Sequence, residues 1–208
     1  LNLNEAVSYV SYESDGVRFT REYFASYPDN ILAVKLSADQ PGALSLTVRP
    51  EIPYLEKNER TGSVTADGDL LTLTGTMPFF SCNFEGQIKV LNQGGSLNSD
   101  DAHNTVAVTH ADSVILLIAT GTNYRLSSRV FTHPPAEKLD PDLFPHDEVS
   151  ARIEAAVESG YDVLRDRHCK DYSNLFDRVT VTFNSEAPDT PTHLMLDEYK
   201  DGKGSSYL

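Results

Sequence analysis

One stretch, Gly16 to Leu36 (GVRFTREYFASYPDNILAVKL), limits the folds open to this chain more than any other. Val17, Phe19, Arg21 and Tyr23 alternate with Arg18, Thr20, Glu22 and Phe24. That period of two sends successive side chains to opposite faces of a sheet. Tyr27-Pro28-Asp29-Asn30 supplies a corner, because proline fixes φ while Asp and Asn bond their own backbone and tolerate left-handed dihedrals. Ile31 to Leu36 restarts as an almost unbroken apolar run, the pattern of a strand covered on both faces. Two long strands joined by a tight corner form the frame against which the other strands are laid.

Upstream, Ala6 to Glu13 alternates and ends at Asp15-Gly16, a hairpin dipeptide, so it pairs with Val17 to Ser26. Downstream, Asp39-Gln40-Pro41-Gly42 is a turn, and Leu44, Leu46 and Val48 share one strand face. Pro50 and Pro53 interrupt the ladder, leaving Glu51 to Thr61 as a polar connection. Val64 to Ala66 and Leu70 to Thr74 flank Asp67-Gly68-Asp69, a second hairpin. Phe79 to Phe84 and Gln87 to Leu91 read as two strands split by Glu85-Gly86 and followed by a Gly94-Gly95 turn. Thr105 to His110 and Val114 to Thr120 complete the series around Ala111-Asp112-Ser113. Strands at this spacing, with no helical period between them, predict an antiparallel two-layer β-sandwich over residues 1–124.

After Asn123 the pattern changes. Pro134, Pro135, Pro141 and Pro145 predict an extended linker without regular elements at residues 125–148. From Val149 to Asp177 apolar residues recur every three or four positions, and Gly160 divides or kinks the helix. Arg178 to Phe183 reads as a short strand, and Met195 to Leu208 as the beginning of another helix. Residues 149–208 are therefore a helical linker segment containing one strand. The chain is expected to be a piece of a longer protein: it opens without Met almost directly into a strand and ends as a helix begins. The missing signal peptide then says nothing about export, and cytoplasmic and secreted bacterial locations both stay open.

The formal charge of −14 argues against binding a nucleic-acid backbone or an anionic membrane, both of which need clustered Lys and Arg. Two cysteines, Cys82 and Cys169, exclude a disulfide scaffold and read as free structural thiols. Glu51, Glu56, Glu59, Asp100, Asp101, Asp140, Asp142 and Asp147 are the carboxylates a glycosidase would draw on, but all sit in turn or linker sequence. They read as solvated loop charge. His133, His146 and Asp147 match no compact metal-ligand spacing, and His103 and His110 sit at the two ends of one strand, on opposite faces. No nucleophile elbow or phosphate-binding loop occurs, and Gly94-Gly95-Ser96 lacks the helix a phosphate cradle requires. No catalytic, cofactor-binding or metal-binding residue is assigned. Ten Tyr and nine Phe leave open a sugar-stacking sheet face beside the commoner role of aromatics as core.

Four stretches carry a family resemblance: Gly16 to Leu36, LLIATGTNY at Leu116 to Tyr124, HCKDYSNLFDRVTV at His168 to Val181, and the closing LDEYKDGKGSSYL. In this order they resemble the N-terminal region of glycoside hydrolase family 95, the α-L-fucosidases, some relatives of which act on α-L-galactosides. The resemblance implies a supersandwich-type β domain, incomplete at its N-terminus, followed by a helical linker into a missing (α/α)6 barrel. It implies inverting hydrolysis of terminal α-L-fucosyl residues, carried by that barrel, with no cofactor. No residue here matches the family's catalytic motifs. The implied partners are the chain's own downstream barrel and a fucosylated glycan, with self-association of the fragment through an unpaired sheet edge. Tyr161, Leu164, Tyr172 and Phe176 are expected to pack between sandwich and barrel. The alternatives are a carbohydrate-binding sandwich and an α-L-galactosidase parent.

Overall fold

The computed structural model describes residues 1–55, 59–181 and 189–203. The chain forms two compact units, Leu1–Asn174 and Leu175–Leu208.

The first unit begins as a meander of β1 (Ser8–Ser14), β2 (Val17–Ser26) and β3 (Ile31–Ala38). Its corners are those marked in the sequence. Asp15 (φ 52°) and Gly16 (φ 74°) both take the left-handed dihedrals of a type I′ hairpin, and Asn30 (φ 51°) closes the second corner. The chain leaves this sheet for β4 (Leu44–Val48) and returns for β5 (Thr61–Asp67), β6 (Leu70–Met77) and β7 (Cys82–Gln93). It leaves again for β8 (Ser96–Asp100) and β9 (Thr105–Ala111), and β10 (Ser113–Thr122) comes back last, between β3 and β7. The result is a seven-stranded sheet, ordered β1-β2-β3-β10-β7-β6-β5, and a three-stranded sheet, ordered β4-β9-β8, each antiparallel at every pairing.

Asp112 ties the crossings between sheets together. Its Oδ1 accepts from Gly42 N at 2.7 Å, after β3, and its own N donates to Gln93 O at 2.7 Å, at the end of β7. Gly95 is required there, since a Cβ would lie 2.1 Å from Thr109 O on top of a φ of 64°.

The large sheet is covered on both faces, which is why its central strands are apolar throughout. Val114 and Leu116 of β10 point toward the small sheet, into a core with Leu44, Leu71, Val90, Val106 and Val108. Ile115, Leu117 and Ala119 of the same strand point the other way, into a second core built with helices. These helices are α2 (His146–Ser159) and α3 (Tyr161–Phe176), preceded by the short α1 (Ser128–Thr132). Val149, Ile153 and Ala156 form the buried stripe of α2, and Tyr161, Leu164 and His168 that of α3. Gly160 (φ 77°) separates the two helices. The expected sandwich followed by helices is present, with the helices folded back as a third layer.

Several expectations give way. Phe79 to Leu91 is not two strands: Pro78–Phe80 is a single 3-10 turn, and β7 runs unbroken through Glu85-Gly86. Gly86 pairs with Leu73 on one side and Thr120 on the other, and ladders on both edges override the local turn preference. β8 has no counterpart in the expected strands, because in this polar edge strand only Leu97 packs on the core. The proline-rich stretch holds α1 and a 3-10 turn at Pro135–Glu137, and α2 starts at His146 rather than Val149.

In the second unit α4 (Thr192–Lys200) buries Met195. The strand expected from Arg178 to Phe183 is absent over its described part, where Val179 and Val181 are exposed, and Thr182 and Phe183 lie outside the described residues. Of the helix expected from Met195 to Leu208, residues 204–208 likewise lie outside them.

Candidate functional site at the loop-bearing end

The two ends of the sandwich differ. Strand register places the tight turns Asp15-Gly16, Asp67-Gly68 and Gly94-Gly95 at one end. The longer connections, 49–60, 78–81 and 123–145, gather at the other, where loops carried on a rigid sheet most often bear function.

At that end the small sheet stops short and leaves a groove of about 550 Å³ on the large sheet's inner face. Leu73, Met77, Phe84 and Thr120 lie along its floor, and Ile52, Pro53 and Arg60 wall it. Two paired glycines make room for this packing. A Cβ on Gly75 would stand 2.5 Å from Phe84 Cζ, and one on Gly62 would stand 2.8 Å from Ile52 Cδ1. The Arg60 guanidinium stacks 5.4 Å from the Tyr54 ring centroid, and its Nε is buried without a hydrogen-bond partner among the described residues. Glu51 pairs in solvent with Arg49 at 2.7 Å.

Beside the groove, two buried asparagines hold the long connection after β10. Asn123 Nδ2 donates to Ser81 O at 2.9 Å and to Asp140 O at 2.7 Å, while its Oδ1 accepts from Asn83 N at 3.0 Å. Asn83 Nδ2 donates to Pro141 O and Leu143 O, and its Oδ1 accepts from Thr76 Oγ1. Every side-chain polar atom of the pair is used, so the hub rigidifies the loops without leaving an unpaired buried group.

Among the described residues, Glu85 is the carboxylate that the structure takes out of solvent. Its side chain, 5% exposed, turns under the N-terminus of α2, where Gln87 Nε2 approaches at 2.8 Å and His146 Nδ1 at 2.9 Å. Gln87 also donates to Ser150 Oγ, and Asp147 and Glu148 occupy the first turn of α2, the favourable end for negative charge. Sequence reasoning missed Glu85 because Glu85-Gly86 resembles a turn; a charged residue at an inward position between two apolar strands is the signal that marks it.

A second polar network lies where α3 meets β1 and β2. Arg165 bonds Glu22 Oε1, Glu5 Oε2 and the Tyr9 hydroxyl, each at 2.8–2.9 Å, and the Tyr161 hydroxyl donates to Glu22 Oε1 at 2.6 Å. Burial, reinforced by the Glu22 carboxylate, pushes the Tyr161 hydroxyl far above the ordinary tyrosine range. The Tyr9 hydrogen bond, followed by that to Glu22, holds Arg165 more firmly protonated still. Lys35 Nζ sits 4.9 Å from the Tyr161 ring centroid.

The residues singled out from sequence are dispersed. Asp100 accepts from His103 Nδ1 at 2.7 Å at the exposed end of β8, and this bond lowers its pKa. His110 (φ 56°) occupies a bulge opposite Ser45. Asp140 and Asp142 are both exposed, and Asp140 serves through its carbonyl as a hub acceptor. His133 contacts Thr132, and Glu56 lies outside the described residues. Among the described residues no group of three or more His, Cys, Asp or Glu gathers that could hold a metal ion. Cys82 and Cys169 are free, and burial raises both thiol pKa values. Among the described residues no helix is long and apolar enough to cross a membrane.

The architecture, an antiparallel sandwich backed by helices, recurs in a solved protein from the human microbiome provisionally named kojibiose phosphorylase. The two superpose with a TM-score of 0.55 at 8% identity, over 85% of this chain and 24% of that one, a likeness that shows the fold alone. Sequence shows the family. The model described as glycosyl hydrolase family 65, N-terminal domain, matches residues 1–127, and the chain belongs to that family. Its first 127 residues are an N-terminal domain of the glycosyl-hydrolase type. More particularly, it is 30% identical over 200 residues to Alpha-L-fucosidase 2 of Arabidopsis thaliana, covering 87% of this chain and 23% of the relative. It is 29% identical over 217 residues to an Aspergillus niger protein provisionally named alpha-fucosidase A, covering 100% of this chain and 26% of the relative. These relatives bear out the α-L-fucosidase resemblance of the four sequence stretches. The chain spans about a quarter of the length of the curated relatives it matches.

Proposed function

We propose that this chain is the non-catalytic N-terminal portion of an α-L-fucosidase, an inverting enzyme whose hydrolysis of terminal α-L-fucosyl residues is carried by a downstream helical barrel. The observation that carries the reading is the alignment with fucosidases along nearly the whole chain, of which it makes up only about a quarter. The site chemistry supports it. A glycosidase needs two carboxyl groups facing one glycosidic bond. In the groove Glu51 is exposed and paired with Arg49, and the Glu85 carboxylate is sequestered beneath α2. A sugar-binding sandwich draws less support. Tyr9 and Tyr12 of β1, both exposed, are engaged on opposite faces, one by Arg165 and the other by the Phe19 ring, so they do not form one platform.

Fucose release from an α-linked fucosyl-lactose tests the proposal, comparing this chain with the same chain extended through its parent gene, with an α-L-galactoside beside it. Release by the extended protein alone is the expected result. Release by the short chain would place a carboxylate pair here and overturn the assignment, and preference for the galactoside would change the substrate.

A further inference from the structure

Tyr161 and Leu164, expected from sequence to meet a second domain, are already buried in the core between α3 and the large sheet. A group of exposed aromatic and aliphatic side chains lies instead at the loop-bearing end. Phe79, Phe80, Tyr124, Leu126, Phe131 and Phe144 are between 44% and 76% exposed there. Their backbones are drawn together: Ser81 Oγ donates to Ala136 O at 2.8 Å, linking the two 3-10 turns, and the Asn83–Asn123 hub fixes the chain from Asp140 to Leu143. Phe80 and Tyr124 line one apolar recess with Val130 and Leu139, and the Phe79 and Phe80 rings meet edge to face at 4.7 Å.

From this geometry we infer that the patch is the docking surface for the catalytic remainder of the parent chain, an inference that rests on the proposed function. Three observations select that occupant. The relatives extend to about four times this chain's length, so ample covalently linked protein exists to cover the patch. The patch is held in place before docking by a fully bonded hub, which lowers the entropy lost on association. Its chemistry fits protein rather than sugar: a bound sugar needs hydrogen-bond partners beside its stacking face, and the asparagines here are consumed by backbone groups and the Thr76 hydroxyl. Clustered Phe and Leu with a Tyr are typical of an interface core, and apolar patches this concentrated rarely face water in a monomer.

Hydroxyl-radical footprinting of the intact parent protein tests this, with each aromatic's oxidation rate divided by its rate in urea. Phe79 and Phe131, 66% and 76% exposed here, are expected to label about tenfold more slowly in the folded parent, at every protein concentration. Labelling within about twofold of the urea rate would overturn the inference, because it would show the rings in water. Protection that fades on dilution would also overturn it, because the cover would then be a second copy. Fucose release by the same preparation separates the two claims. An active parent with freely labelled rings retains the function and loses the docking surface. An inactive parent with protected rings retains the surface and loses the substrate.

Discussion

Tyr161 shows how one side chain couples the helical layer to the sheet. Its ring packs on Phe24 and beneath Lys35, while its hydroxyl reaches Glu22, so apolar burial and a charge-assisted hydrogen bond meet in one residue. The consequence is a pH dependence with a definite sign. The folded-state pKa lies above the unfolded value of about 10, so the contribution to stability is complete below that pH. Above it the unfolded chain loses a proton that the folded chain keeps, and stability falls by up to about 1.4 kcal/mol per pH unit from this group. Urea unfolding at several pH values above 10 should show that slope, and Tyr161→Phe should reduce it while costing about 1 kcal/mol at neutral pH for the lost hydrogen bond. An unchanged slope in the variant would assign the alkaline sensitivity elsewhere.

At the scale of elements, the contact of α2 with β10 holds the third layer on. Gly121 lies in β10 where the helix comes closest: a Cβ there would stand 2.7 Å from Val149 Cγ2 and 3.0 Å from Pro145 Cβ. Gly121→Ala is expected to destabilise by about 1–3 kcal/mol through overpacking. Val149→Ala removes the opposing methyls, so in the double variant the two losses should sum to more than the measured effect, a coupling that thermal unfolding of all four proteins measures. Strict additivity would mean that the helix simply moves away. The elements themselves were largely legible in the sequence. The meander corners at Asp15-Gly16 and Asn30 need left-handed residues, and the both-faces-apolar run of β10 reflects its two cores. What sequence could not show was non-local. Glu85-Gly86 is held straight by its neighbours on either side, and β8 exists because β9 offers it an edge. The hub is equally hidden, since Asn83 and Asn123 meet only once β7 and β10 are in register. The aromatics of the loop end, from Phe79 to Phe144, are likewise scattered in sequence and gathered by the fold.

For the whole molecule, the balance lies between a sheet edge and the net charge. β1 ends the large sheet, pairing among the described residues only with β2, and of its seven residues Glu13 alone is charged. It carries no Pro or Lys, the usual protections of an exposed edge, and Val10 and Tyr12 are exposed along it. Antiparallel self-pairing centred on Ser11 would set Val10 of each copy beside Tyr12 of the other. Against this stands a charge of −14, whose repulsion reaches about 10 Å at 0.1 M salt and about 3 Å at 1 M. The isolated chain should therefore associate more as salt is raised, a trend that sedimentation velocity measures as a rising average mass. Val10→Lys makes the test specific. It reduces the net negative charge by one, which on repulsion alone would favour association, yet a lysine on the pairing edge should suppress it. Greater association of the variant would show that charge governs the contact and that β1 does not form it.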